Sequence, residues 1–173
     1  MTLANKITTG RIIMVPMIVI GLLEKNTVWV YALLGLCMMT DFLDGLMARR
    51  RGERTKLGAF LDPMADKLLL ISIFMTLAYL GKIPMWIFVV VFSRDLLIVL
   101  GWTVIYILTE SAAIEPRPLG KATTAFQMMT ALACILAAPT PAAKPLLWAM
   151  ILLTVASTID YIIVGEKKLG AWN

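Results

Sequence analysis

Residues 41–66 read DFLDGLMARRRGERTKLGAFLDPMAD, and this stretch decides the fold. Asp41 and Asp44 close an apolar run that begins at Val28, and Asp62 and Asp66 open another that continues to Leu80. Each run has the length of a helix crossing a hydrocarbon core about 30 Å thick. An ionisable side chain inside such a span costs at least about 2.5–3.5 kcal/mol, so four acids there need a physical reason. Asp41 and Asp44 are spaced i, i+3 and Asp62 and Asp66 i, i+4, which puts each pair on one face of its helix. The short basic connection between them makes the helices antiparallel and brings both pairs to one depth, just inside one membrane surface.

The rest of the chain agrees with this reading. Its 173 residues are 60% hydrophobic and 16% charged, whereas globular proteins average about 45–50% apolar and about 25% charged. Its solvent is lipid. Apolar runs predict six transmembrane helices, at roughly 12–23 (starting earlier if the helix reaches back to residues 5–9), 28–47, 59–80, 84–108, 123–138 and 145–164. Turn chemistry separates them at Glu24-Lys25-Asn26, Gly81-Lys82-Ile83-Pro84, Pro116-Arg117-Pro118 and Pro139-Thr140-Pro141. The short linkers predict one all-α polytopic membrane domain over residues 1–173, a single six-helix bundle.

Charge sets its expected orientation. Lys6, Arg11, Arg49, Arg50, Arg51, Arg54, Lys56, Arg117, Lys121, Lys167 and Lys168 fall on one side, against Lys25, Lys82 and Lys144 on the other. The positive-inside rule then places both termini in the cytoplasm. The polar start (Thr2, Asn5, Lys6, Thr8), with no small-residue cleavage site after the first apolar run, predicts no cleavable signal.

Composition also excludes several chemistries. Without histidine there is no Ser-His-Asp triad, Cys-His dyad or imidazole metal ligand. Cys37 and Cys134 lie in separate apolar runs and read as buried thiols. The net charge of +5 is explained by loop cations and anionic lipid, so no nucleic-acid partner is expected.

Four uncompensated carboxylates at one depth would repel, and most would be forced to protonate. A divalent cation resolves this, and an all-oxygen donor set favours Mg²⁺, Mn²⁺ or Ca²⁺. Gly45, Gly58 and Ala59 leave room for a ligand beside the acids, and Arg49 adds a group suited to phosphate oxygens. Carboxylates, metal and arginine together point to phosphoryl-type chemistry. Helix capping or pairing with Lys67 and the loop arginines is the structural alternative. It suits Asp62 near a helix start but not four acids, two of them near a helix C-terminus.

The pattern Asp41-x-x-Asp44-Gly45-x-x-Ala48-Arg49, eight residues, Gly58, three residues, Asp62, three residues, Asp66 resembles the CDP-alcohol phosphotransferase signature at all eight positions. Asn5-x-Ile7-Thr8-x-x-Arg11 is similar to the start of bacterial phosphatidylglycerophosphate synthases and of cardiolipin synthases in that superfamily. The resemblance implies a homodimeric enzyme in the cytoplasmic membrane of a bacterium, with a cytoplasm-facing site using one or two Mg²⁺ or Mn²⁺ ions. It implies metal ligation by Asp41, Asp44, Asp62 and Asp66, with Asp66 also the general base. It assigns the CDP-donor pocket to Asp44, Gly45, Ala48, Arg49 and Gly58. The implied reaction transfers a phosphatidyl group from CDP-diacylglycerol to a glycerol-type alcohol and releases CMP.

A second cluster concerns the acceptor. Ser93-Arg94-Asp95 and Pro116-x-x-x-Gly120-Lys121-x-x-Thr124-x-x-Gln127 resemble acceptor-side segments, and imply Arg94, Arg117 and Lys121 as acceptor-binding cations. The other reading is an internal Arg94–Asp95 pair holding helices together, against which stands the divergence of adjacent residues on a helix. Phosphatidylglycerophosphate synthases of this superfamily usually carry Arg-Glu and a further Arg one to two turns on. Here residues 98–102 hold no cation, as in the cardiolipin synthases. Glycerol 3-phosphate leads as acceptor, with phosphatidylglycerol the alternative. A divalent-cation transporter is the reading from another class, although its acids should line a path near the midplane rather than one mouth.

Overall fold

The structure, a computed structural model, describes residues 3–51, 56–109, 118–136 and 143–170. Within these, residues 3–9, 41–51, 56–63, 102, 106, 108, 109, 143 and 168–170 are placed by their helix only. The described residues form six helices: α1 (Leu3–Leu23), α2 (Thr27–Arg51), α3 (Lys56–Tyr79), α4 (Met85–Thr109), α5 (Pro118–Leu136) and α6 (Ala143–Gly170). The all-α expectation holds, and α1 does begin well before the first apolar run. Exposed side chains such as Ile20, Met39, Met75, Leu97, Leu136 and Leu152 coat the helices from outside. Such a surface suits lipid, and the chain is a polytopic membrane protein.

Three of the six expected spans are borne out. Among the described residues, three helical stretches are long and apolar enough to cross a membrane: Met85–Ile105, Pro118–Leu136 and Lys144–Lys167. Gly10–Leu23 and Thr27–Thr40 are apolar but shorter. Lys6 and Arg11 lie in α1, Asp41, Asp44 and Arg49 in α2, and Asp62, Asp66 and Lys67 in α3.

The helices pack as two compact units, Met1–Leu80 and Gly81–Asn173. In the first, α1 packs on both α2 and α3. Its turn into α2 closes the α1 C-terminus with Asn26 N–H on the Gly21 carbonyl (3.0 Å) and Lys25 N–H on that of Leu22 (3.1 Å). Lys25 takes the left-handed conformation this requires, at φ 58°. Asn26 caps α2 by accepting the Trp29 N–H at 3.2 Å. Gly21 then lies against Trp29 and Val30, and one level on the Cys37 thiol donates to Met14 Sδ at 3.5 Å. That order makes α1 and α2 antiparallel. On α3, Ala65, Leu69, Leu70, Ile73, Phe74 and Leu77 form the buried stripe at helical spacing.

In the second unit α6 packs on both α4 and α5. Trp86 meets Trp148 (centroids 5.9 Å apart), Arg94 meets Ser157 and Ile105 meets Gly165, so α4 and α6 run parallel. Gln127 meets Thr154 and Gly120 meets Tyr161, so α5 runs antiparallel to α6. Lys82 Nζ donates to the Ile135 carbonyl at 3.0 Å, satisfying an acceptor in the last turn of α5. Cys37 and Cys134 are buried and free, as their apolar settings predicted.

The α1–α2 turn gives the first test. A Cβ on Gly21 would stand 3.0 Å from Trp29 Cδ1 and from Val30 Cγ2. Gly21→Val should therefore destabilise the protein by about 1–3 kcal/mol through overpacking. Lys25→Gly should stabilise it by up to about 1 kcal/mol, because glycine enters the left-handed region without a Cβ penalty. Thermal unfolding in detergent micelles checks both signs.

Candidate active site

Two polar constellations stand inside otherwise apolar packing. The first, in the Met1–Leu80 unit, is an ion pair between α1 and α3. Arg11 Nη1 donates to Asp66 Oδ1 at 2.6 Å across 55 residues of sequence. The arginine side chain is 2% exposed and the aspartate 49%. The charge count grouped Arg11 with the loop cations; it is instead buried in a helix interface. A guanidinium removed from water requires a paired acid and good geometry, and Asp66 supplies the acid.

Asp41, Asp44, Gly45, Ala48 and Arg49 lie on helical backbone in α2, and Gly58 and Asp62 on helical backbone in α3. Their side chains lie outside the described residues, so Asp66 is the tetrad member whose contacts are known. Helical spacing still places each acid pair on one face of its helix.

The second constellation lies in the Gly81–Asn173 unit. Arg94 Nη1 donates to Asp95 Oδ1 at 2.7 Å, with both side chains 4% exposed. Adjacent residues were expected to diverge, but the long arginine side chain curls back to its neighbour. Arg94 Nη2 donates to Ser157 Oγ at 2.9 Å, and its Cζ stands 5.9 Å from the Tyr161 ring centroid, within cation–π range. Nearby, Gln127 Nε2 donates to Thr154 Oγ1 at 3.1 Å. Thr123, Thr130 and Thr154 turn their hydroxyls onto carbonyls four residues back in their own helices. The result is a polar seam joining α5 and α6 to Arg94 of α4. Arg94 Nε and Gln127 Oε1 are buried in it with no hydrogen-bond partner among the described residues.

Arg94 is inside the seam, Lys121 is exposed, and Arg117 lies outside the described residues. Arg11, Ser157 and Tyr161 were missed as partners. Arg11 had a signal, the polar Asn5-to-Arg11 segment leading into an apolar helix. Ser157 and Tyr161 had a weaker one, hydroxyls four residues apart in an apolar run.

Beyond Tyr161, α4 and α6 enclose a lipid-like groove of about 290 Å³ lined by Leu97, Ile98, Gly101, Ile105 and Ile162 among others. Gly120 sets the approach of α5 to this region. A Cβ there would stand 3.1 Å from Tyr161 Cε2 and Oη and 3.4 Å from Arg94 Nη2.

The profile of the CDP-alcohol phosphatidyltransferase family matches residues 1–160. The chain is 33% identical to a probable phosphatidylglycerophosphate synthase of Mycobacterium tuberculosis, over 97% of this chain and 83% of that protein. It is 31% identical to the CDP-diacylglycerol–glycerol-3-phosphate 3-phosphatidyltransferase of Bacillus subtilis, over 99% and 98% respectively. It is also 32% identical to a probable CMP-forming cardiolipin synthase of Drosophila melanogaster, over 94% of this chain and 57% of that protein. Identity alone does not separate these two kinds of relative.

The seam predicts a contrast between two glycines. Gly120→Ala should cost about 1–3 kcal/mol by pushing the Tyr161 ring off Arg94. Gly101, whose Cβ would meet nothing within 4 Å, should accept alanine neutrally or with a gain of up to about 1 kcal/mol. Equal unfolding temperatures for the two variants would contradict the packing described.

Proposed function

Because the chain belongs to the CDP-alcohol phosphatidyltransferase family, it is an enzyme of the CDP-alcohol phosphotransferase type. From that premise we propose that it transfers the phosphatidyl group of CDP-diacylglycerol to an anionic glycerol-type acceptor, with glycerol 3-phosphate leading. The observation that carries this is Asp66. It is the last acid of the signature, half-exposed, and held at Oδ1 by a buried arginine.

In the proposed reaction Asp66 takes the proton of the acceptor hydroxyl. The hydroxyl oxygen attacks the phosphorus that bears the diacylglycerol. The bond from that phosphorus to the bridging oxygen breaks, and CMP leaves with the electron pair. A carboxylate within reach of the hydroxyl is useful because an alcohol is a weak nucleophile at neutral pH. Arg49 meets the diphosphate, and Gly45, Ala48 and Gly58, with Asp44, admit the cytidine and ribose.

The donors suit a hard metal ion. Asp66 offers carboxylate oxygen, while the softer Cys37 sulfur is turned to Met14. One or two Mg²⁺ or Mn²⁺ ions held by Asp41, Asp44, Asp62 and Asp66 would neutralise the diphosphate and improve CMP as a leaving group. The proposal includes six spans, both termini in the cytoplasm, a homodimer, and a site facing the cytoplasm of a bacterium.

For the acceptor, Arg94 supports the assignment because its Nε is buried without a hydrogen-bond partner among the described residues. A buried unpaired donor costs about 1–3 kcal/mol, which an anionic acceptor oxygen would recover. A second reading, cardiolipin synthesis with phosphatidylglycerol as acceptor, rests on Asp95. That carboxylate already offsets the Arg94 charge, leaving less net cation for a near-dianion than for a monoanionic diester.

An acceptor panel decides between them. Purified protein in mixed micelles with CDP-diacylglycerol and Mg²⁺ or Mn²⁺ should release CMP and give phosphatidylglycerophosphate from glycerol 3-phosphate. Cardiolipin from phosphatidylglycerol alone would establish the second reading. Divalent-cation flux without CMP release would make the chain a transporter.

Asp41→Asn, Asp44→Asn and Asp62→Asn should each cripple turnover across a wide Mg²⁺ range. Asp66→Asn should lower kcat by roughly 10²–10⁴-fold, the range for lost general base catalysis, with donor KM little changed. Arg94→Lys should raise acceptor KM roughly 10-fold, because an ammonium cannot reproduce the guanidinium fork. An unchanged acceptor KM with a lower unfolding temperature would make Arg94–Asp95 a purely structural pair.

A further inference from the structure

We infer that Arg11 is a positioning residue for the transfer reaction, fixing the Asp66 carboxylate toward the acceptor hydroxyl; this rests on Asp66 being the general base. The pair is asymmetric in a way that a structural staple is not. Arg11 is 2% exposed and Asp66 49%, so the cation backs the acid and the acid is displayed. At that burial Arg11 is out of reach of substrate, so it acts through Asp66.

An aspartate carboxylate turns about two side-chain bonds. A 2.6 Å charge-assisted bond to Oδ1 from a buried guanidinium restricts that turning. Arg11 is mounted on α1, the helix that packs on both acid-bearing helices, α2 and α3. Its level is set by contacts one turn and more along α1, where Met14 meets Cys37 and Gly21 meets Trp29 and Val30. Placing a base to within a fraction of an ångström matters, since a misplacement of about 1 Å costs on the order of 10²-fold in rate.

The test compares wild type, Arg11→Lys, Arg11→Gln, Asp66→Asn and Arg11→Gln/Asp66→Asn in the full-length protein. The readouts are kcat, CDP-diacylglycerol KM and unfolding temperature in detergent. Arg11→Lys keeps the charge and loses the fork. It should lower kcat about 10-fold with donor KM and unfolding temperature near wild type, and Arg11→Gln should lower it roughly 10²-fold. In the Asp66→Asn background Arg11→Gln should cost nothing further, because a residue acting through another is non-additive with it.

Wild-type kcat in Arg11→Lys, or an equal kcat loss on adding Arg11→Gln to Asp66→Asn, would overturn the positioning role and leave Asp66 as the base. Full turnover in Asp66→Asn would overturn the base assignment itself, and this inference with it. If Arg11→Gln does not fold or Asp66→Asn turnover is too low to measure, the kcat and KM of Arg11→Lys decide alone. A loss in Arg11→Lys that merely follows a lower unfolding temperature makes the pair a staple.

Discussion

The bond between Arg11 and Asp66 is the contact on which the Met1–Leu80 unit depends. Lipid offers a guanidinium no hydrogen bonds, and an unpaired one buried in a helix interface would push the helices apart. With Asp66 as its partner, the same group ties α1 to α3 at 2.6 Å. The rest of α1 follows from that anchor. Its opposite contacts, Met14 to Cys37 and Gly21 to Trp29 and Val30, run in antiparallel order along α2. The short capped turn at Glu24-Lys25-Asn26 then fixes the hairpin. An N-terminal helix that is polar for its first turns is held in place by tertiary contacts rather than by a long apolar run.

The Gly81–Asn173 unit meets the same constraint by other means. Most of its buried hydroxyls are satisfied within their own helices, four residues back. Polar groups that also cross between helices are Arg94 to Ser157, Gln127 to Thr154, and Thr123 to the Leu153 carbonyl. Such cross-helix bonds hold lipid-embedded helices together where no hydrophobic force acts between them. The Arg94–Asp95 pair is structural in its bonding, yet its unpartnered Nε keeps capacity for an anion. One side chain thereby serves both the packing of α4 on α6 and the proposed recognition of an acceptor.

That double role explains why the acceptor is the least constrained part of the function. Relatives using either kind of acceptor are similar to this chain to nearly the same degree. On the proposed function, net charge and shape around Arg94 would separate glycerol 3-phosphate from a lipid acceptor. Those depend on Asp95, Ser157, Tyr161 and the close approach of Gly120 rather than on any one motif.

The sequence by itself determined the solvent, the helical class and the family. Hydropathy and turn residues located all six helices, because apolar runs and turn signals are local, while α1 begins nine residues before its apolar run and α6 continues six beyond its own. The eight signature positions were legible for the same reason: their spacing is fixed by one short segment. Among the described residues, three helical stretches carry the apolar length of a span. What only the tertiary structure decided is which charges face one another. Arg11 finds Asp66 across 55 residues and Arg94 finds Ser157 across 63. The same guanidinium that curls onto Asp95 reaches Ser157 of α6. A helix pattern states which residues share a face, but the rotation of that face toward a neighbour is settled by close packing, at glycines such as Gly21 and Gly120. That choice is made between segments far apart in the chain, where local spacing carries no signal.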